Sequence, residues 1–295
     1  MDIADLKVFE TVARLGGMNR AAAELNTVQS NVTARIRLME EELGAALFER
    51  HARGVTLTGA GQRLLPYATR MRRLMEEARR AFSDTGAPKG SLLIGSLETT
   101  AALRLSSQLS AYITAYPEVD LSLRTGTTCE LIKAVLDYEL EGAFICGPVS
   151  HADLEETPAF REELVLLTAP AIQNIDELYR MPALRIVVLR AGCSYRQRLE
   201  EILTRHGAMA VRVLEFGTIE AVIGCAAAGL GITLLPKGMA EAAALEHRIA
   251  VHELPEADAF ADTVFIRRRD AFASNALKAF LQCVCSPFAQ AKAAE

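Results

Sequence analysis

The chain has 295 residues, 51% of them hydrophobic and 23% charged, and a net charge of −5, enough for two or three compact units with their own cores. Residues 1–90 hold 14 Lys/Arg against 11 Asp/Glu (+3), and the rest hold 18 against 26 (−8). That argues against indiscriminate nucleic-acid binding and fits a slightly basic DNA-binding head on an acidic body. The acidic start Met1-Asp2-Ile3-Ala4-Asp5-Leu6 is no signal peptide, and no apolar run approaches a membrane span, so a cytoplasmic protein with no membrane partner is expected.

The first helix is expected from about Ile3 to Leu15, with Leu6, Phe9 and Ala13 inward and Gly16-Gly17 as its stop. Asn19 is expected to cap a short helix Ala21–Leu25, and Thr27 a second helix whose stripe is Val32, Ile36, Met39 and Leu43. Gln29, Ser30, Thr33 and Arg37 fall largely off that stripe, and with Asn31 and Arg35 they form the candidate DNA-reading set. Amides suit adenine edges, Arg suits guanine or phosphate, and hydroxyls suit either. The plain alternative is a three-helix core with a solvated polar face. Arg50-His51-Ala52-Arg53-Gly54-Val55-Thr56-Leu57 then reads as a hairpin wing, with Arg50 and Arg53 placed for phosphates.

Thr58 is expected to cap a long helix reaching about Phe82. Gly61, Leu64, Ala68, Met71, Met75, Ala78 and Phe82 recur on it at alternating spacings of three and four, the repeat of a coiled-coil seam. A dimer contact is the preferred reading, with packing on its own domain as the alternative. Pro66 is expected to bend this helix modestly. Ser83 to Gly90 reads as a turn-rich linker.

Beyond the linker, strands are expected at Leu92–Leu97, Val119–Arg124, Gly142–Cys146, Leu164–Thr168, Leu184–Leu189, Val211–Glu215, Gly231–Leu235 and Thr263–Arg267, with helices between most of them and a last helix Phe272–Cys285. That alternation predicts α/β units on largely parallel sheets.

The residues Ala21-Ala22-x-x-Leu25, Gln29-Ser30, Arg35-Ile36-Arg37, Glu41-Glu42-Leu43-Gly44, Leu47-Phe48-x-Arg50 and Leu57-Thr58-x-Ala60-Gly61 resemble the N-terminal signature of LysR-type transcriptional regulators. Ala228-Gly229-Leu230-Gly231-Ile232-x-Leu234-Leu235-Pro236 is similar to a second, distal signature of that family. The sequence departs from the pattern at Val28, Thr33 and Met39, where the family commonly has Ser, Ser and Leu. The resemblance implies an α+β multi-domain fold: a winged helix-turn-helix (1–60), a linker and dimerisation helix (58–84), and a two-lobed α/β domain like a periplasmic binding protein (91–295). Lobe I would be 91–161 plus 268–295, and lobe II 162–267. It further implies a homodimer or homotetramer on double-stranded DNA, RNA polymerase as a further partner, and a small effector bound between the lobes. The dimer would use Leu64, Ala68, Met71, Met75, Ala78 and Phe82.

Strand ends and helix starts expected at that cleft are Ser96, Glu98, Thr99 and Thr100; Thr128; Gly147 and Pro148; Cys193, Ser194, Tyr195 and Arg196; and Phe216 with Thr218. For each hydroxyl, simple helix capping is at least as good a reading. Glu98 either complements a helix dipole or attracts an ammonium group, and Arg196 could take a carboxylate, which points to an amine or amino-acid-like effector. The segments around Glu98 and Arg196 are more loosely similar to family members concerned with putrescine use. An enzyme fused to a DNA-binding head is the competing class. There is no phosphate loop, nucleophile elbow or metal-ligand spacing, and six scattered cysteines form no zinc pattern. No catalytic residue, metal or cofactor is therefore expected.

Overall fold

The computed structural model describes residues 1–51, 54–175, 178, 184–208 and 211–292, with side chains through Cys285. The chain divides into two units, Met1–Thr85 and Gly86–Glu295.

In the first unit, α1 (Ile3–Leu15), α2 (Met18–Glu24) and α3 (Gln29–Leu43) precede a hairpin of β1 (Phe48–His51) and β2 (Gly54–Leu57), then α4 (Gly59–Ser83). Phe9, Val12, Ala21, Val32, Ile36, Met39, Leu47 and Ala68 close one core, so three helices, the hairpin and α4 share it. Asp2 and Asp5 form a reciprocal capping box at the start of α1. Thr58 caps α4, its hydroxyl accepting from the Gly61 amide at 3.1 Å and donating to the Ala46 carbonyl at 2.6 Å. Two cap expectations fail. The residue before α2 is Gly17 and that before α3 is Val28, neither with a side-chain cap bond; the Thr27 hydroxyl instead accepts from the Asn31 side chain at 3.0 Å. Leu43 is also displaced from its expected place, 42% exposed, because Gly44 turns left-handed directly after it and ends the helix.

In the second unit, β3 (Gly90–Ser96) runs into α5 (Glu98–Thr100), a π-helical turn (Ala101–Leu105) and α6 (Ser106–Ala115), followed by β4 (Val119–Thr125), α7 (Thr128–Leu136) and β5 (Gly142–Cys146). The long β6 (Leu154–Thr168) leads to β7 (Leu184–Leu189), α8 (Ser194–Arg205), β8 (Val211–Phe216), α9 (Ile219–Ala227), β9 (Thr233–Pro236), α10 (Lys237–Leu245), β10 (Ala250–Glu253), α11 (Glu256–Ala259), β11 (Phe260–Arg268) and α12 (Asn275–Lys292). Strand order is β10-β6-β11-β5-β3-β4, with β9 also on β6, and a separate parallel pair β7-β8. β3 is parallel to β4 and β5, whereas β11 is antiparallel to both β5 and β6, and β9 and β10 are antiparallel to β6. The sheet is therefore mixed, not largely parallel. β6 also begins ten residues before the expected Leu164, and β10 is a strand the sequence reading lacked.

Two cores flank β3 and β5, one built on Leu92, Tyr112, Phe144 and Phe280, the other on Leu131, Val135, Ile145 and Ile266. Two more flank β7 and β9, on Leu164, Ile186, Leu199 and Leu234 and on Val165, Val187, Val222 and Leu235. The unit thus holds two sandwiches, and β6 and β11 run from one to the other. The Gly229-Leu230-Gly231 turn docks the β7-β8 pair. Gly229 takes φ 76 after α9, and a Cβ on Gly231 would lie 2.6 Å from the Arg185 carbonyl. That close approach lets the Ile232 amide bond the Arg185 carbonyl at 3.0 Å while the Val187 amide bonds Ile232 at 2.8 Å.

Candidate functional site

Each unit carries a candidate site. On α3, Val32, Ile36 and Met39 are buried, leaving Gln29, Ser30, Asn31 and Arg37 exposed and Thr33 half-buried on the opposite side. Gln29 donates to the Thr33 hydroxyl at 3.0 Å, and Arg37 pairs with Glu41 at 2.9 Å, one helical turn on. Exposed pairs of this kind are worth little, so these groups are readily exchanged for a partner's. Arg35 is different: its guanidinium bonds Asp5 at 2.8 Å and lies 3.9 Å from Asp2. It ties α3 to the start of α1 rather than standing free. Arg50 is exposed on β1, and Arg53 lies outside the described residues. Along α4, Ala68 is buried in the unit's own core, with Leu64 and Met71 partly buried against it. The first half of the expected seam is therefore spent on its own unit. Met75 and Phe82 are 38% and 92% exposed, and Ala78 is exposed beside them.

In the second unit a solvent-open cleft is lined by Leu97, Glu98, Thr99, Thr125, Gly126, Thr127, Leu189, Arg190, Cys193, Ser194 and Tyr195. These residues stand at the ends of β3, β4 and β7 and the starts of α5, α7 and α8, where strand-to-helix turns face one another. The two sandwiches are tied there by a 2.7 Å hydrogen bond between the hydroxyls of Thr128 and Ser194. Thr127 forms a capping box, its amide donating to Glu130 at 2.8 Å. Chiefly through that bond, then the Thr127 hydroxyl and the nearby positive charge of Arg190, the Glu130 carboxyl is held below its usual range. The Thr99 and Thr100 hydroxyls are both buried, that of Thr99 beside the Tyr195 hydroxyl. Glu98 is half-buried. Burial pushes the Cys193 and Cys146 thiols up, which disfavours thiolate at the start of α8.

The cleft so formed holds Glu98, Thr99, Cys193, Ser194 and Tyr195 of the expected set, with Thr128 one hydrogen bond behind it and Ser96 buried beneath. Other expected residues are drawn elsewhere. The Gly147 amide donates to the Asp262 carbonyl, and the Gly147–Pro148 bond is cis. Phe216 packs in a core and the Thr218 hydroxyl caps α9, 3.3 Å from the Ala221 amide. Arg196 is taken up by Glu200 at 3.1 Å and Glu215 at 2.9 Å, so its guanidinium does not line the cleft. The cation that does is Arg190, which the sequence reading missed. Its signal was available: it directly follows the last residue of β7, two places before the Gly192-Cys193 turn singled out instead.

The family model "LysR substrate binding domain" matches residues 85–286, and "Bacterial regulatory helix-turn-helix protein, lysR family" matches residues 3–62. The chain belongs to the LysR family. It is 46% identical over 281 residues to the HTH-type transcriptional regulator GltR of Bacillus subtilis (strain 168), covering 95% of each chain. It is 41% identical over 284 residues to the HTH-type transcriptional regulator CzcR of Bacillus anthracis, covering 96% of this chain and 97% of that one. Among solved structures, a full-length OxyR variant from Pseudomonas aeruginosa aligns with a TM-score of 0.67 at 19% identity, over 97% of this chain and 96% of that one. Full-length CbnR complexed with its target DNA aligns with a TM-score of 0.65 at 23% identity, over 96% of this chain and 99% of that one; these two likenesses concern the fold. The LysR-type protein is a DNA-binding transcriptional regulator with an effector-binding domain, not an enzyme. Among the described residues no helix is long and apolar enough to cross a membrane.

Proposed function

We propose that this LysR-type regulator reads its operator with Gln29, Ser30, Asn31, Thr33 and Arg37 of α3, grips flanking phosphates through Arg50 and Arg53, and alters that binding when an amine-bearing effector enters the cleft. Arg35 serves by holding α3 against α1. The working parts are a DNA-binding domain (1–60), a linker helix (58–84) and a regulatory domain (91–295) with lobes 91–161 plus 268–295 and 162–267. Met75, Ala78 and Phe82 pair α4 with a second copy, because an exposed apolar stripe on a long helix gains most by burial against another. Two such dimers form the tetramer, and the bound regulator acts in the cytoplasm on RNA polymerase at the neighbouring promoter.

The observation that carries the effector reading is Glu98, a half-buried cleft carboxylate with no ion pair among the described residues. It suits an ammonium group. Fluorescence anisotropy on DNA upstream of the protein's own gene, against scrambled DNA and across a salt series, tests the whole. Tight sequence-dependent binding that weakens with salt, and that putrescine or an amino acid alters, is expected. Equal weak binding to both DNAs in the presence of those amines would sink the reading.

A further inference from the structure

We propose that the effector is a zwitterionic α-amino acid, with its ammonium group on Glu98 and its carboxylate on Arg190. The inference rests on the cleft being the effector site and names the chemistry that the site selects.

Of the residues lining the cleft, Glu98 and Arg190 alone are charged. Neither makes a side-chain hydrogen bond or ion pair among the described residues, and Arg190 is exposed while Glu98 is half-buried. A diamine would need two acids and a dicarboxylate two bases; one of each in the lining, neither in an ion pair, matches a molecule that carries both charges, although the charge of Arg190 is also felt by Glu130 behind the lining. The anionic end has little else to bind. The first amide of the α7 start is engaged by Glu130 at 2.8 Å, so that helix start already holds a carboxylate, and Arg196 is paired with Glu200 and Glu215. Arg190 remains, with the fork geometry that suits a carboxylate.

Thr99 also lines the cleft, with its hydroxyl buried beside that of Tyr195. Leu97 and Leu189 supply the apolar wall for a short side chain.

The test is titration calorimetry on the full chain with the proteinogenic L-α-amino acids, putrescine and succinate as separate probes. At least one amino acid should bind, with putrescine and succinate at least about tenfold weaker. For that amino acid, Glu98→Gln and Arg190→Gln should each weaken binding by about tenfold or more. Their selectivity is the sharper readout. Arg190→Gln should abolish discrimination between the amino acid and its carboxamide, and Glu98→Gln that between the amino acid and its 2-hydroxy analogue. Neither loss follows from a merely structural role. Heat from putrescine alone would overturn the zwitterion and leave the amine reading standing; heat from succinate alone would overturn both. An absence of heat from every amino acid would overturn the proposal, as would an amino acid whose binding neither charge variant changes.

Discussion

The ion pair between Arg104 and Glu162 is the most informative single place to perturb the regulatory unit. Arg104 lies in the π-helical turn, and its Nε and Nη2 donate to the two Glu162 oxygens at 2.8 and 2.9 Å. Glu162 sits in β6, its side chain 6% exposed against 44% for Arg104. Removing the cation leaves a carboxylate buried without its partner. Breaking a fully buried pair costs about 3–5 kcal/mol, and the half-exposed guanidinium shows that water reaches one side, so about 2 kcal/mol is expected for Arg104→Ala. Lys in its place keeps the charge but loses the two-pronged geometry, at about 1 kcal/mol. Glu162→Gln removes the stranded charge, so the double variant should be less destabilised than the sum of the singles, with a coupling of about 1.5 kcal/mol. Urea unfolding followed by tyrosine fluorescence reports chiefly on this unit, because the chain has no Trp and five of its six tyrosines follow Thr85. A coupling below about 0.5 kcal/mol would refute the claim that this pair braces the helix against β6.

Four other expectations are narrower. Thr58→Ala removes the α4 cap and should destabilise the helix start by about 1 kcal/mol, seen as roughly fivefold faster hydrogen exchange at the Gly61 amide, with Thr58→Ser restoring it. Burial holds the His252 imidazole below its ordinary 6.5, so the unfolded chain takes up the proton first as pH falls. Its contribution is complete well above 6.5 and declines as pH drops through that value, so thermal unfolding between about pH 7.5 and about pH 5.5 should show a slope that His252→Gln flattens. Arg50→Ala should weaken binding to operator and scrambled DNA alike, and make the slope of log K against log salt shallower by about 1. Phe82→Glu with Met75→Glu should shift sedimentation toward monomer while leaving helix content unchanged, because both side chains are exposed.

Features with a local cause were legible in the sequence. The Val32-Ile36-Met39 stripe, the Thr58 cap and strands such as Gly142–Cys146 follow from spacing and nearest neighbours. Thr27 and Asn19 illustrate the limit of that reasoning: both are good cap types, yet Val28 and Gly17 hold the extended backbone before their helices. The early half of β6 was hidden because Glu155, Glu156 and Thr157 are polar, and only their pairing with Arg267, Ile266 and Phe265 makes them strand. In the cleft, Arg196 and Arg190 are equally good cations by type. Glu215, distant in sequence, claims the first, and that contact is invisible until the chain is folded.

The run from Glu98 to Ala115 connects more than the cleft. Its first turn presents Glu98 to the cleft, and its π-helical turn carries Arg104 to Glu162 in β6. Its last turns bury Tyr112, whose hydroxyl donates to the Ala276 carbonyl of α12 at 2.8 Å. The far end is therefore anchored in the core of one sandwich, while β6 continues past Glu162 into Leu164, Val165 and Leu166 at the cores of the other. A ligand shifts such a system only by the contacts it makes in one arrangement and not in another. A group bridging Glu98 and Arg190 would join the start of this helix to the end of β7, across the same gap as the Thr128–Ser194 hydrogen bond. Its energy would favour whichever arrangement lets both groups reach the ligand, and the Arg104–Glu162 brace would couple that preference to β6. Weakening that brace should then reduce the effect of ligand on DNA binding more than it reduces ligand affinity.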